Sequence, residues 1–192
     1  MKADIEYSTG RTELAARSYS QLEQRASGPM TLTAALLGIV RTGRDLGDNE
    51  AVISAADRLM ASSTAGNSYA PEVRYARAAA YNATGRTADA RTEWAALASA
   101  PADMYGARSA VALADSYFNA GQTDKAKQVV NDFIDADPPH AYWLARGFIL
   151  LSDILRAEGN TFEADEYLRN LRSNYPGSEA DIFEMIDQRL KK

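Results

Sequence analysis

A glycine returns five times along this chain, at Gly10, Gly47, Gly85, Gly121 and Gly159, with spacings of 37, 38, 36 and 38 residues. Recurrence at that period is the mark of a stacked pair of helices, and it directs the chain toward a solenoid rather than a single globular core. The neighbours recur as well. Two residues after each glycine stand Thr12, Asn49, Thr87, Thr123 and Thr161, whose side-chain oxygens suit the free N–H groups of a starting helix. Five residues after it stand Ala15, Val52, Ala90, Ala126 and Ala164, small enough for two helix backbones to approach. Offsets of nine (Tyr19, Ala56, Trp94, Val130, Leu168) and twelve (Leu22, Leu59, Leu97, Phe133, Leu171) continue the same stripe. Each glycine therefore introduces an amphipathic helix, B.

The segment before each glycine reads as a second helix, A. Gly43, Tyr81, Tyr117 and Leu155 lie four residues before their glycines, and Val40, Ala78, Ala114 and Ser152 lie seven before. The glycine closes helix A, where a positive φ costs little only without a side chain. Tyr81, Tyr117 and Trp94 are read as core aromatics. The repeated Gly-x-Thr is not a phosphate loop, since it lacks the preceding strand and the lysine that a nucleotide loop requires.

The pattern predicts helix B of the first repeat over about Thr12–Arg25, then A/B pairs at Thr31–Leu46 and Asn49–Met60, Pro71–Thr84 and Thr87–Leu97, Ala102–Ala120 and Thr123–Ala136, and His140–Ala157 and Thr161–Ser173. Met1 to Thr9 is too short for a full helix A, with Tyr7 placed at the end of one, so the first repeat is read as partial. Ala61 to Asn67 is read as a small, polar linker. After Tyr175-Pro176-Gly177-Ser178, residues Glu179 to Leu190 form an amphipathic helix with Ile182, Ile186 and Leu190 on one face. It is expected to cap the last repeat. The expected organisation is one domain over 1–192: a partial repeat 1–29, repeats 30–67, 68–101, 102–138 and 139–177, and a capping helix within 178–190. No strand-like alternation appears, so the class is all-α.

A net charge of -5 argues against a nucleic-acid backbone as partner. The absence of cysteine removes disulfides, thiol catalysis and thiolate metal sites. No apolar run is long enough to span a membrane. The single histidine, His140, has no second ligand at metal-binding spacing, and no nucleophile stands beside a base. The sequence thus predicts no catalytic residue, no cofactor and no metal.

Candidate binding residues fall on the inner surface of helix A: Leu37, Arg41, Arg44, Tyr75, Asn82, Arg108, Val111, Asp115, Phe118, Asn119, Arg146, Ile149, Asp153 and Arg156. Asp115 and Asp153 lie six residues before their glycines, where Arg41 and Ala79 lie in earlier repeats. Arginines, amides and aromatics on one face suit an extended peptide or a helix. Arg146 is expected to pair with Asp153 or Asp115.

These residues give the chain a resemblance to the tetratricopeptide repeat family. The third repeat carries Ala78, Tyr81, Gly85, Ala90, Trp94, Leu97 and Pro101; the fourth, Ala114, Tyr117, Gly121, Ala126, Val130, Phe133 and Pro138; the fifth, Ser152, Leu155, Gly159, Ala164, Leu168, Leu171 and Pro176. The second is the weakest match, with Gly43 where tyrosine stands. The resemblance implies a right-handed superhelix of antiparallel helix pairs that binds a protein or peptide in its concave groove. The inner offsets lack the lysines and asparagines by which some members clamp a C-terminal carboxylate. The segment from Ala141 to Ile154 is similar to the C-terminal part of large repeat proteins of Bacteroidetes-type bacteria, which implies a fragment of a longer protein and leaves cytoplasmic and envelope placement both open. An alternative is self-association or an end-cap role, with Leu14, Tyr19 and Leu22 exposed on helix B of the first repeat and available to a second copy or to further repeats. A second alternative, ligand sensing or enzymatic activity, would call for a cavity lined by Arg108, Asp115 and Arg146.

Overall fold

The computed structural model describes residues 2–62 and 68–191; residues 63–67, most of the expected linker, lie outside the described residues. The described residues form eleven helices and no strand. Two compact units are present, Met1–Glu93 and Trp94–Lys192.

The N-terminal unit contains α1 (Lys2–Ser8), α2 (Thr12–Gln24), α3 (Pro29–Leu46), α4 (Asn49–Ala61) and α5 (Ala70–Ala83). The division between units falls within α6 (Thr87–Ala98). The C-terminal unit continues with α7 (Met104–Asn119), α8 (Thr123–Asp135), α9 (Ala141–Ala157), α10 (Thr161–Asn174) and α11 (Ala180–Leu190). In each unit consecutive helices pack together, and each helix A also packs on the next helix A, as α3 does on α5 and α7 on α9. This is the all-α, right-handed solenoid class of paired antiparallel helices, with α11 as its capping helix.

All five repeat glycines adopt positive φ, between 70° and 89°. At each, the following N–H reaches back to the carbonyl four residues before the glycine: Arg11 to Glu6, Asp48 to Gly43, Arg86 to Tyr81, Gln122 to Tyr117 and Asn160 to Leu155, at 2.8–3.0 Å. The glycine N–H bonds the carbonyl three residues before it. This double closure satisfies the carbonyls that a helix end leaves orphaned. It also corrects the expected caps. Thr12, Asn49, Thr123 and Thr161 are the first residues inside their helices, and the cap position falls one residue earlier. There Asp48 accepts from the Ala51 N–H, while Arg11, Gln122 and Asn160 make no side-chain cap bond.

The second repeat departs from the tyrosine pattern by an exchange of volumes. A methyl group on Gly43 would lie 2.9 Å from Val52 Cγ2 and 3.2 Å from the Asp48 carbonyl oxygen. The other repeats put a large residue at the first position and alanine at the second, as in Tyr81 with Ala90 or Leu155 with Ala164. Gly43 with Val52 reverses the two sizes.

The expectation that Tyr19 is exposed is overturned. The short α1 lies across α2, and Tyr19 is buried with Ala3 and Ala15 while its hydroxyl donates to Asp4 Oδ1 at 2.8 Å. Leu22 packs at the edge of this cluster, and Leu14 is exposed. In the C-terminal unit, Val130, Leu150, Leu151, Ile154 and Leu155 form one core cluster; Ala145, Ile149, Leu168, Ile182 and Ile186 form another. The capping helix contributes Ile182 and Ile186, each fully buried and each stabilising by roughly 1.5–3 kcal/mol.

Candidate functional site

The candidate residues divide between the two units, and helix geometry sets what each can offer. Residues ten before the glycine point furthest into the packing. Val111 and Ile149 are buried there, among Ala107, Ala110 and Phe133 in one case and Leu168, Ile182 and Ile186 in the other. They support the face and present nothing to a partner, which corrects their expected placement. Leu37 and Tyr75, at the same offset in the N-terminal unit, are half-buried.

In the N-terminal unit, Arg41 makes a two-pronged ion pair with Glu72 of α5, Nε to Oε1 at 2.7 Å and Nη2 to Oε2 at 2.8 Å. Arg44 bonds the neighbouring Asp45, which also accepts from the Tyr7 hydroxyl at 2.7 Å. Burial works to raise the Asp45 carboxyl, but the Tyr7 hydroxyl and the Arg44 charge outweigh it and hold the group below its ordinary range. Asn82 is exposed at the end of α5.

In the C-terminal unit, helices α7, α9 and α11 carry a continuous polar strip. Asp153 of α9 is held by Arg189 of α11, with oxygens at 2.7 and 2.6 Å from Nε and Nη2. The expected pairing of Asp153 with Arg146 is therefore replaced by an ion pair to the capping helix. Arg156 is likewise engaged, with Asp165 of α10 at 2.6 Å. Arg146 turns toward Tyr142 one helical turn earlier: Nη1 stands 3.2 Å from its hydroxyl oxygen, and the guanidinium lies 6.0 Å from the ring centre. The Tyr142 hydroxyl donates to Asp181 of α11 at 2.7 Å. Arg108 lies over the Trp143 ring at 5.5 Å. Phe118 packs partly against the core, and Asn119 is exposed.

Asp115 differs from Asp153 on this strip. Among the described residues its close bond comes from a neutral group, the Asn119 amide at 3.0 Å. The side chain is exposed, yet neighbouring helix atoms partly desolvate the carboxylate and raise its pKa; Asp153 adds to this, while Arg146 and Asn119 oppose it.

The sequence reading missed Glu72, Tyr142, Asp181 and Arg189, the groups that hold Arg41, Arg146 and Asp153 in place. Glu72 was accessible through its offset, thirteen before Gly85, which matches Arg146 before Gly159. Arg189 had no such signal, because α11 follows no repeat glycine.

An apolar recess of about 310 Å³ lies elsewhere in the C-terminal unit, lined by Leu144, Phe148, Tyr167, Leu171, Tyr175 and Pro176 among others. Arg108, Asp115 and Arg146 are not part of it. His140, the single histidine, bonds the Ala102 carbonyl at 2.9 Å and ties the start of α9 to the turn before α7. Among the described residues, no group of three or more histidine, aspartate or glutamate side chains is arranged to hold a metal ion, and no helix is long and apolar enough to cross a membrane.

Comparison with known proteins adds to this geometry. Residues 107–140 and 142–178 match models of the tetratricopeptide repeat. MamA from Desulfovibrio magneticus RS-1, from its residue 41 to its end, shares the fold at 17% identity, with a TM-score of 0.67 over 97% of this chain and 92% of that one. BtubC from P. vanneervenii does so at 14% identity and a TM-score of 0.69, over 92% and 80% of the two chains. A tetratricopeptide repeat protein from Parabacteroides merdae shows a looser likeness, 15% identity and a TM-score of 0.56 over 98% and 81%. No curated protein sequence matches the chain.

Proposed function

We propose that this chain, in which residues 107–140 and 142–178 match models of the tetratricopeptide repeat, uses the helix-A face of its C-terminal unit to bind a peptide or helix of a partner protein, with no bond made or broken. The fold class is one generally used as a non-enzymatic scaffold for protein–protein interaction. The observation that carries the reading is the strip formed by Asp115, Phe118, Asn119, Tyr142 and Arg146. It combines an aromatic, an amide and both signs of charge on rigid helices, so a partner meets a surface already ordered. The packing of Val111 and Ile149 beneath it fixes α7 and α9 in place.

Site-specific photo-crosslinking tests the reading. A photoreactive residue at Asn119 should capture a discrete partner from lysate of the source organism, and one at Glu163 on α10 should not. Asp115→Arg with Asn119→Arg should abolish capture by a third probe at Phe118 while leaving helicity unchanged. Asp153 is left intact because its loss would release the capping helix. Capture from Glu163 alone, or capture indifferent to the double substitution, would move the binding site off this face.

A further inference from the structure

Arg41 and Glu72 stand six and thirteen residues before Gly47 and Gly85. Asp115 and Arg146 stand six and thirteen before Gly121 and Gly159. The two pairs occupy the same register between consecutive helices A, with the charges exchanged. In the first pair the rung is closed by two bonds of 2.7 and 2.8 Å. In the second it is open. Arg146 is turned aside onto the oxygen and ring of Tyr142, and Asp115 keeps only the Asn119 amide.

The open rung lies in an acidic setting. Residues 1–93 hold 11 Lys and Arg against 11 Asp and Glu, whereas residues 94–192 hold 10 against 15. The whole net charge of -5 therefore belongs to the C-terminal unit. Two other charged residues at the strip are matched by opposite charges, Asp153 by Arg189 and Arg156 by Asp165, and Asp181 is occupied by the Tyr142 hydroxyl.

We infer that the partner segment is basic, and that a lysine or arginine of that segment closes the open rung by pairing with Asp115. This rests on the proposed binding role of the same face and adds the chemistry of its partner. A cation fits the rung better than an anion for two reasons. Arg146 already has an oxygen and an aromatic ring as close partners, while Asp115 is hydrogen-bonded by a neutral donor and feels the Arg146 charge only from beyond bonding distance. The field of an acidic unit also draws a basic segment toward it and repels an acidic one. Phe118 beside the rung offers apolar contact to the methylene stem of a lysine.

The test uses the full chain, labelled with nitrogen-15, and two defined probes, blocked octalysine and blocked octaglutamate, at about 50 mM salt where exposed charges are weakly screened. Octalysine should shift the amides of Phe118, Asn119 and Tyr142. Asp115→Asn should weaken its binding about fivefold, the effect of one well-placed charge pair, and Asp115→Glu should restore most of it. Asp132→Asn, an equal charge change at an exposed position of α8, should alter binding by less than about twofold. If Asp132→Asn costs as much as Asp115→Asn, octalysine reads net charge alone and the inference fails. If octaglutamate shifts the three amides and octalysine does not, the partner is not basic, yet the face still binds. If neither probe shifts them and the crosslinking at Asn119 is also silent, the binding role fails with the inference.

Discussion

Arg41 and Asp115 occupy the same place in their repeats, and the two units treat that place in opposite ways. In the N-terminal unit the charge is consumed internally by Glu72, as Arg77 is by Asp57 and Glu93 at 2.6 Å each. That unit is electrically neutral by count. In the C-terminal unit the equivalent charge makes no close ion pair among the described residues, in a region with five surplus carboxylates. The cores share a plan. The C-terminal unit buries Leu150, Leu151, Ile154 and Leu155, and the N-terminal unit buries Leu36, Ile53 and Leu59. Both also use close approach at glycine, the Tyr19 ring on Gly38 and Val52 on Gly43 in one, and Phe133 on Gly147 in the other. A repeat register thus constrains where a residue sits without dictating whether it stabilises the fold or remains available to a partner.

The largest expected effects lie in the cores. Ile154→Ala, at a fully buried position, should cost about 2–5 kcal/mol in urea unfolding, because little can move in to fill the space. At the closely approached glycines of the N-terminal unit the damaging change is the reverse one. Gly38→Ala drives a methyl group into the Tyr19 ring and should cost about 1–3 kcal/mol. Gly43→Ala should cost a similar amount, about 1–3 kcal/mol, and adding Val52→Ala should recover much of the loss by restoring room. No recovery in that double variant would mean that the Asp48 carbonyl, rather than Val52, limits the space.

Charge effects are smaller. A double-mutant cycle on Arg41 and Glu72 should report about 0.2–1 kcal/mol of coupling in stability, and the same cycle on Asp115 and Arg146 should report a smaller coupling, since those charges act on each other from beyond bonding distance. Equal coupling in both cycles would erase the distinction between closed and open rungs. The smallest effect is in pH dependence. Asp115 binds its proton more tightly in the folded chain than in the unfolded one, so its ionisation lowers stability as pH rises through the raised pKa. Asp115→Asn should therefore gain stability relative to the parent at pH 7 and not at pH 3. Asp45 has the opposite sign. Its lowered pKa gives stability above the ordinary aspartate value that is lost as pH falls, so Asp45→Asn should lose stability at pH 7.

Much of this architecture was legible from five glycines, because a left-handed helix stop is one of the few backbone conformations that strongly selects a residue type. The helix ends follow within a few residues, and Ala126, Ala164 and Leu168 fall at zero exposure on the stripe their offsets define. The caps were not legible. The closure at each glycine uses the next residue's N–H, so the cap moves to Arg11, Asp48, Gln122 and Asn160, most of which cap through the backbone alone. The short α1 was underestimated because its few residues are held by Tyr19 and Asp4 rather than by helix propensity. For the site, periodicity placed Asp115, Arg146 and Asp153 on adjacent helices, but which charges pair depends on side-chain direction. Tyr142 and Arg189 decide that, and neither lies at a recurring offset.

The open rung is tested most directly by following the side-chain carboxyl carbon of Asp115 by NMR through an acid titration of the full chain. An apparent pKa above the ordinary aspartate value of 3.8 is the predicted result, since desolvation and Asp153 outweigh the opposing pull of Arg146 and the Asn119 amide. A midpoint below 3.8 would show that Arg146 leaves Tyr142 and closes on Asp115 in solution. The C-terminal face would then be as self-satisfied as Arg41 with Glu72, and the distinction between the two units would be lost.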